Sequence, residues 1–118
     1  MDEKGFWAFL ENLWQKGRAQ QIICTTDGIG IPEQSYLQGH ALLPKEYNEF
    51  SDSDIVKMGR LLFEEQVKLK TKEAVMLILA HQPSEVALTI LTKYNFNPDK
   101  GMEFFAQMAL EECAMWNE

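Results

Sequence analysis

The side chains that could do chemistry are few and scattered. The 118-residue chain has two histidines, His40 and His81, and two cysteines, Cys24 and Cys113. A metal site needs His, Cys, Asp or Glu gathered at ligand spacing, and the two histidines stand roughly forty positions apart. His81 ends an apolar run and reads as a helix cap, its charge favoured by the negative helix end. His40, in an irregular stretch with Glu33 and Tyr36, is the better candidate for a role in a site. Cys24 and His40 are a conceivable nucleophile–base pair, but no Gly-x-Ser-x-Gly or other nucleophile motif accompanies them.

The paired acids point the same way. Glu64-Glu65 and Glu111-Glu112 are neighbours in sequence, and consecutive helical residues diverge by about 100°, so neither pair is a general acid/base dyad. None of the four is followed by a histidine three positions on, as a di-iron bundle requires. Gly28-x-Gly30 has Glu33 where a third glycine would stand and Pro32 where a helix would start, which makes it a turn and not a phosphate cradle. No catalytic residue, metal or cofactor is expected; the balance leans toward a non-enzyme, with a small enzyme kept as an alternative.

The elements that would position these residues follow from apolar spacing. A first helix is expected over about 4–16. Phe6, Trp7, Phe9, Leu10, Leu13 and Trp14 fall within one arc of about 160°, and Gly17 is a natural stop. Its polar face lacks the Lys/Arg density of an in-plane membrane anchor, so packing on the bundle or on a partner is the expectation.

A second helix should start in Ser51-Asp52-Ser53-Asp54, whose oxygens can cap free amides, and run to about Lys70. Ile55, Met58, Leu62, Phe63 and Leu69 would be inside. Lys57, Arg60, Lys68, Lys70 and Lys72 form the densest positive stretch and read as a solvated face. Residues 72–82 are apolar all round from Ala74 to Ala80, a pattern shared by buried helix and buried strand. Ala, Met and Leu favour helix, with Thr71 as cap.

Pro83-Ser84-Glu85 should open a fourth helix with Pro83 in its first turn, forming an antiparallel hairpin with the third. The Gln82-Pro83-Ser84-Glu85-Val86 turn resembles the inter-helix turn of HEAT-type repeats. It covers one hairpin only, whereas stacked repeats need several copies. A last helix is expected from Asn97 as cap, Pro98 at the first position and Asp99 on the dipole, to about Trp116. It carries two apolar stripes, Phe105, Ala109, Cys113, Trp116 and Phe104, Met108, Met115.

Between the first two helices, Asp27-Gly28 marks a candidate β-hairpin turn, and Tyr36, Leu37, Leu42 and Leu43 argue against disorder in the rest. The expected fold is therefore all-α: a compact bundle of four to five helices in a single domain, 1–118, with at most one short hairpin near Asp27-Gly28.

Composition narrows the function classes. With 46% hydrophobic and 25% charged residues the chain can build a core. A net charge of −7 repels phosphate backbones and anionic lipids. Asp2 and Glu3 stand where a secretion signal would be basic, Glu11 breaks the apolar stretch behind them, and no run suffices for a membrane span. The cytoplasm is the expected compartment, with Cys24 and Cys113 as free, buried thiols.

The leading expectation is a protein-interaction or regulatory module, docking on another protein or on its own copy as a homodimer through Trp7, Trp14, Phe104, Met108 and Met115. The alternative is a ligand-binding protein or small enzyme with a pocket under residues 25–50, lined by Asp27, Tyr36 and His40. A nucleic-acid regulator using Lys57 to Lys72 comes third.

Overall fold

The computed structural model describes residues 1–13 and 50–118, with Leu13 described by its backbone alone. The Asp27-Gly28 turn and residues Trp14, Cys24, Asp27, Tyr36 and His40 lie outside the described residues.

The described residues form an all-α bundle. Helix α1 (Glu3–Leu13) is followed by α2 (Asp52–Gly59), a 3-10 turn (Arg60–Phe63), α3 (Leu69–Ala80), α4 (Glu85–Phe96) and α5 (Glu103–Trp116). No helix among the described residues is long and apolar enough to cross a membrane. Every residue of α3 from Thr71 to Ala80 is buried, so the segment that is apolar all round is the central helix. α2, α4 and α5 pack around it. Phe6 and Leu10 of α1, Ile55 and Met58 of α2, Leu91 of α4 and Phe105 of α5 join it in one core.

Caps explain most of the helix starts. The Asp2 carboxylate accepts the Gly5 amide at 2.7 Å, and Ser51 Oγ accepts that of Asp54 at 3.1 Å. Ser84 Oγ accepts the amides of Val86 and Ala87. Ser84 thus caps α4, and Pro83 sits outside the helix instead of in its first turn.

Four other expectations are corrected. The second helix does not continue to Lys70. It tightens after Gly59 into a 3-10 turn, and Glu64 is extended (φ −102, ψ 123). No glycine or proline lies between Arg60 and Lys68 to mark the break; contacts from α1 hold the start of the next helix instead. Glu3 Oε2 accepts the Lys68 amide at 3.1 Å and the Thr71 hydroxyl, and Trp7 Nε1 donates to Thr71 Oγ1 at 3.0 Å. Glu3 thereby does from another helix what a capping-box glutamate does within one. Thr71 lies in the first turn of α3, not at its cap.

Phe63, assigned to the core by period, is 53% exposed because the 3-10 turn rotates it outward.

The last helix starts at Glu103, not at Pro98. Asn97 ends α4, the Asp99 carboxylate is engaged elsewhere, and Gly101 takes φ +91, a left-handed conformation that stops a helix from forming through it.

Candidate functional site

Three places gather functional groups: a polar knot around Tyr94 near the end of α4, a polar cluster joining the ends of α3 and α5, and an apolar groove between α2 and α4.

The knot joins α3, α4 and the 97–102 link. Lys72, expected on a solvated face, is only 2% exposed, and its Nζ lies 2.8 Å from Asp99 Oδ2. Tyr94 donates its hydroxyl to the same oxygen at 2.5 Å and accepts the Asp99 amide at 3.1 Å. A crevice of about 240 Å³ beside them is lined by Leu62, Phe63, Glu65, Asn97 and Pro98. Burial, then the hydrogen bond to Asp99, holds the Tyr94 phenol far above its ordinary pKa. Burial alone would raise the Asp99 carboxyl, but the hydrogen bonds from Lys72 and Tyr94 and the Lys72 charge outweigh it, and the group sits below the ordinary range. Phenol stays protonated, carboxylate stays ionised, and each satisfies the other. That is a structural tie, not a poised acid or base.

A second polar cluster ties the end of α3 to the end of α5. His81 caps α3. Its Nδ1 faces the Leu77 carbonyl at 2.7 Å and its Nε2 faces Glu112 at 2.7 Å, with the Trp116 ring 6.4 Å away. Asn117 donates to the Gln82 carbonyl at 3.2 Å. Cys113 is a free, buried thiol. Burial pushes its pKa up to about 11, the opposite of what a nucleophilic cysteine needs. Among the described residues no three His, Cys, Asp or Glu side chains cluster as a metal site would require.

The groove lies between α2 and α4. These helices run side by side in the same direction: Ser84 donates to Asp52 at 3.0 Å where both begin, and a Cβ on Gly59 would come within 2.7 Å of Ile90 further along. At the far end the Phe63 and Tyr94 rings meet edge-on, 6.0 Å apart. The depression measures about 420 Å³. Val56, Gly59, Phe63, Val86, Thr89 and Ile90 line it, with Glu85, Arg60 and Lys93 at its rim. An adjoining hollow of about 330 Å³ extends it along Asp52, Ser53 and Lys57. On a helical projection Phe96, 84% exposed, continues the Thr89–Lys93 line. Another depression, about 490 Å³ near the start of α1, is lined mainly by charges of both signs with Trp7 and Val67, and its Glu3 is already committed to Lys68 and Thr71.

Of the residues singled out from sequence, Phe104 and Met115 are exposed on α5, at 48% and 69%, and Met108 between them is half-buried. Trp7 is half-buried and hydrogen-bonded to Thr71. The groove residues escaped notice because Phe63 fits the core period. The available signal was α4, where Val86 and Ile90 lie to one side of the arc holding Ala87, Leu91 and Tyr94.

No family model matches the chain, and no curated protein or solved structure matches it.

Proposed function

We propose that the protein is a non-enzymatic interaction module that receives a helix of a partner protein in the groove between α2 and α4. The supporting observation is an apolar floor of Val56, Val86 and Ile90, open to solvent beside a half-exposed Phe63. Each Å² of such surface covered by a partner is worth about 25 cal/mol, and a trough between two helices suits an amphipathic helix. The ionisable side chains of the knot are spent on each other, which leaves them no chemistry to offer a substrate. Lys72, counted in the basic stretch, pairs with Asp99, which weakens a nucleic-acid reading.

Photo-crosslinking in the native cell tests this. A photoreactive residue at Thr89, in the groove, should give a discrete adduct that the same residue at exposed Lys100 does not. Equal labelling from both positions, or none from Thr89, overturns the proposal.

A second reading, homodimerisation through α5, has its own observation. Phe104, Met108 and Met115 form a stripe beside the one of buried Phe105, Ala109 and Cys113, about 120° round the helix. Antiparallel pairing of two copies would set Phe104 against Met115 and Met108 against Glu111. α5 is about 21 Å long, and one helix face falls well short of the roughly 800 Å² per partner of a stable interface. Self-association by this route is therefore weak. Light scattering after size exclusion decides it: a dimer dispersed by Met115→Glu supports this reading, and a monomer at high concentration removes it.

A further inference from the structure

We infer, resting on the groove reading above, that the groove selects an amphipathic helix of mixed charge running antiparallel to α2 and α4, with acidic residues in its first turn and basic residues in its last. The basis is that the groove has a negative and a positive end. α2 and α4 start together, joined by the Ser84–Asp52 hydrogen bond, so Asp52 and Glu85 stand at one end. Arg60 and Lys93 stand at the other. Each set complements the dipoles of its own helices. A third helix laid between them faces full side-chain charges at both ends.

A helix acidic at its start and basic at its end, the arrangement its own dipole favours, is satisfied only when its start lies at Arg60 and Lys93. The whole chain carries −7 and repels a uniformly acidic partner, while the two cations act only over a Debye length of about 8 Å. Mixed charge therefore fits better than a run of acids. The groove from Glu85 to Phe96 accommodates about three helical turns, with apolar anchors three or four residues apart over Val56, Ile90 and Phe63.

The test uses the full chain and two synthetic peptides of about fourteen residues. Both carry the same leucine stripe; one has Glu in the first turn and Lys in the last, the other has the two exchanged. The first should bind about tenfold more tightly at low salt, a gap that closes at high salt. Because exchange also changes each peptide's own helicity, the deciding variant is Arg60→Glu with Lys93→Glu, two exposed positions, which should invert the preference. A spin label on the first peptide's N-terminus should broaden the amide signals around Lys93 and spare those around Glu85.

Equal affinities that the double variant leaves unchanged, or broadening at the Glu85 end, overturn the inferred charge pattern and direction while the groove reading survives. If neither peptide disturbs any groove amide, the groove reading falls with it.

Discussion

Helix α4 contributes to two neighbouring regions built on opposite principles. Toward α3 and the 97–102 link it presents Tyr94, locked with Lys72 and Asp99 into a knot whose partners are all inside the chain. Toward α2 it presents Val86, Thr89 and Ile90, which line a depression filled by nothing from the described residues. Polar residues are conspicuous in a sequence but here close on themselves; apolar ones look like ordinary core yet stay open. Burial of a charge is tolerable only with its partner in place, so the knot must be complete in the folded monomer. An apolar face has no such requirement and can wait for a partner.

The sharpest attack on this contrast is Lys72→Ala. It leaves Asp99 and Tyr94 facing a void in place of a cation, and the expected loss is about 2–4 kcal/mol in urea unfolding. A loss under about 0.5 kcal/mol, the scale of an ordinary surface change, would show that the knot is ornamental and free for another role.

The same knot should leave a pH signature. Asp99 is held below the ordinary carboxylate range, so its contribution is complete above that range and is lost as pH falls from there through its own lowered value. Tyr94 is held above its ordinary value of 10.0, so its contribution is complete below that value and is lost as pH rises beyond it. Asp99→Asn should flatten the acid limb of the stability curve and Tyr94→Phe the alkaline limb, each read from the urea midpoint against pH.

Gly59→Ala probes the wall of the groove. The new Cβ would lie 2.7 and 2.9 Å from Ile90 side-chain atoms, and Ile is stiff at χ1. Crowding should outweigh the gain of about 1 kcal/mol in helix propensity and give a net loss of about 1–2 kcal/mol. A stabilised variant would mean that α2 and α4 part freely, and with them the groove.

Ser84→Ala removes the cap of α4 and its tie to Asp52, at about 1 kcal/mol. If thermal unfolding is unchanged, the shared start of the two helices is not held by this contact. The smallest expected effect is Phe96→Ser. At 84% exposed it should change stability by less than about 0.5 kcal/mol; a larger loss would place Phe96 in the core and shorten the groove.

Much of the bundle was legible from residue spacing. The apolar stretch 74–80 is a buried helix, as its composition implied, and Ser51 supplies the cap that polar residues ahead of an apolar run announce; the Ser84 cap was hidden by Pro83, which reads as a first-turn proline. Phe105, Ala109 and Cys113 share a buried stripe. The knot was not legible: Lys72, Tyr94 and Asp99 belong to three segments with no common motif. Asp99 even carried a misleading signal, since Asn97-Pro98-Asp99 is a good helix start whose carboxylate Lys72 and Tyr94 claim first. The break at 64–68 lacked any local mark because Glu3, which holds the start of the next helix, is over sixty positions away.

By itself the sequence determined the helical class, the central place of α3 and the Ser51 cap of α2, because caps and apolar periods act between residues a turn or so apart. Only the tertiary structure decided where the second helix stops, which charges are buried together and which apolar residues remain outside. Those outcomes depend on groups brought together from distant segments, and burial changes the cost of a charge or an exposed ring far more than its neighbours in sequence can.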